Sequence, residues 1–372
     1  MLPRHLYVHV PFCARRCSYC DFSIAVRGTV PVREYVDALA RELAIRYGTG
    51  EAWSLETLYL GGGTPSHLGA DGVARVVESI TSRATLEPSA ELTIEANPED
   101  VSLEAVLAWR AAGVNRVSLG VQSFQDAVLS WMHRVHDAAA IPRAVDAIRS
   151  AGIDNISLDL IFALPASLER DWDLDLEQAL ALEPRHLSLY GLTVEPHTPL
   201  GRWRERGNIV EAPEEQYAAE FLRADEVLAR AGFEHYEVSN FARTGGASKH
   251  NSAYWTGASY GALGPSAHGF EGDERYWNVA AYTEWLRRLD DGRNPEGGRE
   301  RLDMEERRAE AVYLGLRTRN GLVLEEADVA RVQRWIEARW AVLGEGNRLV
   351  LTPQGWLRLD ALAADLTVVR SY

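Results

Sequence analysis

The sequence predicts an α/β protein: a partial or complete (β/α) barrel of about six βα units, followed by a small C-terminal winged-helix-like domain. Three observations carry this expectation. From residue 5 to about 240, short apolar runs alternate with longer segments of helical period. Along that stretch the order helix, glycine, strand recurs. The chemically suggestive residues fall where candidate strands end, which favours a barrel over an open doubly wound sheet.

The expected strands are Leu6 to Val10, Thr57 to Leu60, Glu91 to Glu95, Arg116 to Leu119, Ile156 to Phe162 and His186 to Leu189. Between the first two, Val32, Tyr35, Val36, Leu39, Leu43 and Tyr47 share one helical face, and Gly48 follows as a C-cap. Similar helices are expected from Leu103 to Ala112, Ala139 to Ser150 and Pro213 to Ala231, each followed by a glycine. Residues 1–240 therefore read as the barrel core. Residues 241–298 lose the periodicity, are rich in Gly, Asn, Tyr and Trp, and read as an ordered loop region. Residues 299–372 read as a further domain, with helices near 305–317 and 324–338 and a hairpin near 342–352. Its mixed charge favours a packing or partner role over DNA reading.

The chain of 372 residues can bury a full core. Its formal charge of −15, from 39 basic and 54 acidic residues, argues against general nucleic-acid binding. No stretch approaches the ~18 apolar residues that span a bilayer, and the N-terminus lacks the apolar core of a secretory signal. A cytoplasmic protein with reduced thiols is the expectation. Peripheral membrane contact stays open, although no segment demands it.

All three cysteines of the chain lie in one short window, Cys13-Ala-Arg-Arg-Cys17-Ser-Tyr-Cys20. Sulfur grouped as C-x3-C-x2-C points to metal ligation. Thiolates at this spacing suit an iron-sulfur cluster, which normally takes four protein ligands, so one iron keeps an open position for a small molecule. Zinc in a Cys3His site, with His9 or His5 as the fourth ligand, is the alternative.

The second strand runs into Gly61-Gly62-Gly63-Thr64-Pro65, where backbone amides are expected to approach a ligand with no side chain between. Other strand ends carry Glu95-Ala-Asn97-Pro98, Gly120-Val-Gln122 and Asp159, and Arg134 follows the fourth strand. Glu95, Gln122, Arg134 and Asp159 offer acceptors for an ammonium and ribose hydroxyls and a fork donor for a carboxylate. Together they match a ligand that is both amino acid and nucleoside.

With Tyr19 before the last cysteine and the Gly61–Pro65 run, these residues resemble the radical S-adenosylmethionine superfamily. Within it the order is similar to the oxygen-independent coproporphyrinogen III dehydrogenases and to their relatives, the HemW-type heme chaperones. The resemblance implies a [4Fe-4S] cluster on Cys13, Cys17 and Cys20, with S-adenosylmethionine held by Tyr7, Tyr19, Gly62, Gly63, Thr64, Glu95, Gln122, Arg134, Asp159 and Thr193. It also implies a reducing electron donor. A barrel mouth closed by the segment after residue 240 would exclude water.

Two departures favour the chaperone branch. Phe22 stands where the dehydrogenase pattern adds a cysteine, and only twelve residues precede Cys13. Lys249-His250-Asn251-Ser-Ala-Tyr254-Trp255 resembles the HNxxYW signature of that branch, followed by Gly264-Pro-Ser-Ala-His268. The branch implies heme and recipient hemoproteins as partners, with His250 as a heme ligand and His268 a weaker candidate. The other branch implies oxidative decarboxylation of coproporphyrinogen III. A third reading is a zinc-stabilised binding protein. The chain also departs from the family at Met132-His133-Arg134, where a glycine commonly precedes the arginine, which puts the presentation of Arg134 in question.

Overall fold

In the computed structural model, which describes residues 2–48, 50 and 53–367, the six expected strands form and pair in parallel in chain order. They are β1 (His5–Val10), β2 (Trp53–Gly62), β3 (Ala84–Ala96), β4 (Arg116–Gln122), β5 (Asn155–Phe162) and β6 (His186–Gly191). Leu58 of β2 faces Leu6 on one side and Leu92 on the other, and all three are fully buried. Near-continuous apolar runs follow from burial on both faces of a parallel sheet.

The expected covering helices are present as Val32–Tyr47, Leu103–Ala111, Ala140–Ser150 and Glu214–Arg230. Two more, Gly69–Thr81 and Trp172–Ala181, complete the βα repeat and were not expected. The first begins Gly-Ala-Asp-Gly, a turn-like start that hides the apolar face of Val73, Val76, Val77 and Ile80. Asp171 caps the second, accepting from the Leu174 amide at 3.0 Å.

Beyond the six strands, β7 (Glu234–Glu237) and β8 (Asn240–Ala242) add antiparallel at the β6 edge, and β9 (Gly261–Leu263) adds parallel to β1. The order β9-β1-β2-β3-β4-β5-β6-β8-β7 is open, so the sheet is the partial form of the expected barrel.

Residues 241–298 are not a loop region. They supply β9, the helix Lys249–Trp255, the helix Tyr282–Asp290, and an antiparallel sheet of His268–Glu271, Glu274–Asn278 and Glu296–Arg301. Strands of three to six residues set among glycines give no readable period, so the sequence hid them. The Lys249–Trp255 helix bonds to Thr57 of β2 and Glu91 of β3, while its cap Ser248 donates its amide to Tyr236 of β7. Strands from the two halves of the sheet thus meet at one short helix.

Glu42, fully buried on the first helix, pins this region in place. Its carboxylate accepts from the Gly264 amide at 2.8 Å, Trp285 Nε1 at 2.9 Å and Asn278 Nδ2 at 2.6 Å, with Arg46 at 3.6 Å. The C-terminal region holds helices Met304–Arg317 and Glu326–Glu337 and a three-stranded sheet of Leu322–Val323, Arg348–Leu351 and Ala341–Gly344. Helices Pro353–Trp356 and Leu359–Thr367 follow. The expected domain ran to residue 372, and its last five residues lie outside those described.

Candidate functional site

Cys13 ends a two-residue strand, Phe12–Cys13, that pairs with Ala25–Val26, so the chain between leaves and returns as a loop carrying Cys17 and Cys20. The Ser18 amide donates to Met132 O at 3.1 Å, and Ser18 O accepts from Leu200 N at 2.8 Å, which ties the loop to two other elements. All three thiols line one cleft of about 450 Å³, in the range of small-molecule and cofactor sites. The rest of its wall comes from the C-terminal halves of β2 to β6 and the turns after them, where such folds keep their chemistry.

Burial pushes the Cys13 thiol up to about 11, against a 3.4 Å hydrogen bond from Thr64 Oγ1 that favours thiolate. Burial raises Cys20 as well. Thiolates here therefore need a compensating cation, which iron would supply if bound. Among the described residues no three His, Cys, Asp or Glu side chains form a cage for a single ion, although the cysteines share one cleft. The histidines proposed for zinc are placed elsewhere: His9 bonds Ser23 O at 3.0 Å and Tyr7 Oη at 3.2 Å, and His5 bonds Thr57 Oγ1 at 3.0 Å through Nδ1. Neither lines the cleft. The donor set fits an iron-sulfur cluster better than a Cys3His ion.

Arg134 reaches the cysteine loop, donating from Nη1 to Cys17 Sγ at 3.6 Å and from Nη2 to Asn97 Oδ1 at 2.6 Å and Gly120 O at 2.8 Å. Its Nε is buried with no partner among the described residues, a donor left for a ligand. Asn97, quoted in the strand-end motif but given no role, orients this guanidinium. His133 sits in the left-handed region, φ 58°, where a glycine would pass without strain. The histidine accepts that conformation, and Arg134 is presented despite the missing glycine. Gln122, φ 66°, marks a register shift between β4 and β5 and lines the cleft.

Glu95 accepts from Tyr59 Oη at 2.8 Å and the Gly62 amide at 3.0 Å, and burial pushes its carboxyl up to about 7. Asp159 accepts the one proton of Ser118 Oγ, which lies 3.1 Å from both carboxylate oxygens, and burial raises it too. Gly62, Gly63, Thr64, Tyr19 and Thr193 also line the cleft.

Three expectations change. The amides of Gly62, Gly63 and Thr64 already donate to Glu95, Val10 O and Phe12 O, so they are not free for a ligand. The glycines are there for packing: a Cβ at Gly62 would lie 2.5 Å from His9 Nδ1, and one at Gly63 2.8 Å from the Pro11 carbonyl carbon. Tyr7 does not line the cleft. It lies behind the wall, stacked on Tyr59 at 6.0 Å. Among the described residues none after 240 lines the cleft, whose wall runs from Cys13 to Glu195, so the expected closure by that segment is not seen there.

His250 is also placed elsewhere. Its Nδ1 bonds Thr57 Oγ1 at 2.6 Å, its Nε2 bonds Tyr254 Oη at 2.7 Å, and its ring stacks on Tyr59 at 5.0 Å. It is 1% exposed, and burial pushes it down to about 3. A ring with both nitrogens engaged and no access to solvent has no lone pair for iron. In this fold His250 is a structural residue, not the expected heme ligand.

A family profile described as the Radical SAM superfamily matches residues 7–179. The Heme chaperone HemW of Synechocystis sp. is 35% identical over 378 residues, covering 95% of this chain and 90% of its own. That of Mycobacterium tuberculosis is 36% identical over 373 residues, covering 98% and 95%. In three dimensions the chain is similar to the coproporphyrinogen III oxidase HemN of Escherichia coli, with a TM-score of 0.82 at 21% identity over 99% of this chain and 90% of that one. At that identity the likeness speaks for the fold alone.

Proposed function

The chain belongs to the HemW family of radical S-adenosylmethionine proteins, and from that premise we propose that it takes up heme and delivers it to recipient hemoproteins, with a [4Fe-4S] cluster and S-adenosylmethionine in the cysteine-lined cleft. The observation that carries the cofactor part is the meeting of Cys13, Cys17 and Cys20 with Arg134, Glu95, Gln122 and Asp159 in one cavity. When bound, the cluster and the sulfonium nucleoside supply one-electron chemistry, fed by a reducing electron donor. The residues bind and orient. Arg134, held by Asn97, offers its guanidinium to a carboxylate, and Glu95 and Asp159 accept from ammonium or hydroxyl groups. The reduced thiols this requires support a cytoplasmic location. No helix among the described residues is long and apolar enough to cross a membrane.

Glu95 gives the site a pH signature. Its folded value, about 7, lies above the ordinary one, so it is neutral below that pH and charged above it. Affinity for the cationic cofactor is expected to rise with pH through about 7, and Glu95→Gln is expected to flatten that rise, as read by equilibrium dialysis of S-adenosylmethionine. The linked effect on stability has the opposite sign: Glu95 makes the fold less stable as pH climbs from the unfolded value toward about 7, and no further above it.

Coproporphyrinogen III dehydrogenation is the competing reaction. Phe22, 59% exposed on the cleft wall, stands in place of the additional cysteine of that group. Reduced, reconstituted protein given coproporphyrinogen III and S-adenosylmethionine is expected to form no protoporphyrinogen while still binding heme; decarboxylated product would overturn the chaperone reading.

A further inference from the structure

A second concavity, about 540 Å³, shares no residue with the cysteine cleft. It lies where the Lys249–Trp255 helix, the His268–Glu271 and Glu274–Asn278 strands and the Met304–Arg317 helix come together. Its wall is aromatic: Tyr254, Trp255, Tyr260, Phe270 and Trp277. The rings brace one another. Tyr254 stands edge-on to Tyr260 at 4.4 Å, Tyr260 lies 6.4 Å from Phe270, and the Arg317 guanidinium caps Trp255 at 4.2 Å. Such a surface suits a flat, apolar, delocalised ligand.

One histidine opens onto this wall. His268 is exposed and stacks on Trp277 at 6.0 Å with the planes 23° apart. No hydrogen bond to either ring nitrogen is found among the described residues. Partial burial holds it below its ordinary value, against the raising pull of Glu300, which leaves the imidazole neutral near pH 7. His250 is the opposite case, with both nitrogens committed.

We propose that this aromatic groove is the heme site and that His268 supplies an imidazole to the heme iron. The proposal rests on the heme-chaperone reading and deepens it by placing the cargo. It also gives the HNxxYW segment a physical role: His250 fixes Tyr254 through the 2.7 Å Nε2–Oη bond, and Tyr254 and Trp255 form the wall. His250 is thus a positioning residue. Arg275 on its wall is already paired with Glu310 and Glu300, so it brings no unpaired positive charge to the ligand. Binding comes from ring contact and iron ligation.

The test is a hemin titration of the full-length protein, followed by Soret absorption and by electron paramagnetic resonance of the ferric heme. His268→Ala removes an exposed side chain, so the protein is expected to fold and load its cluster as before. Heme affinity is expected to fall at least tenfold with loss of the nitrogen-ligand signature, and added imidazole is expected to restore that signature. Trp277→Leu is expected to weaken binding while keeping the signature. If His268→Ala binds hemin with wild-type affinity and spectrum, the groove assignment is overturned and the chaperone reading stands. If the wild-type protein binds no hemin, both fall.

Discussion

Replacing Cys17 with serine is expected to strip the anaerobically reconstituted protein of its [4Fe-4S] absorption and reduced-cluster resonance while the fold persists. Losing a partner outside the ligand shell costs about 10–100-fold in metal affinity, and Cys17 is placed to act as a ligand itself. The buried neighbour Arg134, 3.6 Å from Sγ in the native chain, would then face a hydroxyl in place of the thiol. Circular dichroism should stay near wild type, because the loop is also held by backbone bonds from Ser18 to Met132 and Leu200. Iron and sulfide analysis of the Cys17→Ser protein checks the prediction, and retention of a full cluster would refute it.

The largest expected effect on stability comes from Glu42→Ala. That change leaves the Gly264 amide, Asn278 Nδ2 and Trp285 Nε1 without their shared acceptor in a site with no solvent, and deprives Arg46 of a carboxylate. Removing one member of a buried charged network costs about 3–5 kcal/mol. Glu42→Gln, which keeps the size and one acceptor, is expected to cost less. Denaturant unfolding of the cluster-free protein compares them, and equal stability of Glu42→Ala and wild type would refute the account.

The sequence made the barrel half legible because its strands are long apolar runs and its helices end on glycines. Where that grammar weakened, expectation failed. Gly69–Thr81 starts with turn residues, and β9 is three residues long, recognisable only by its pairing with residues 6–8, more than 250 positions earlier. The site divides along the same line. Cysteines and strand-end polar residues announce themselves by type and spacing. Partnership does not: nothing in the one-dimensional order says that Asn97 holds Arg134, that Tyr59 and Gly62 hold Glu95, or that His250 spends both nitrogens on Thr57 and Tyr254. The glycine triplet misled for a related reason, since small size serves close approach whether the neighbour is a ligand or the protein's own Pro11 and His9.

The parallel seam of β1 with β9 has a consequence for biosynthesis. On the ribosome, the strand that leads into the cysteines emerges well before its partner, and one of its flanks stays bare until residues 261–263 have been translated. At about 5–20 residues per second, that interval is on the order of ten seconds or longer. During it the nascent chain exposes an unpaired strand edge, the kind of surface that recruits unwanted neighbours. Polypeptides halted before residue 261 should therefore aggregate more readily than those released after residue 263.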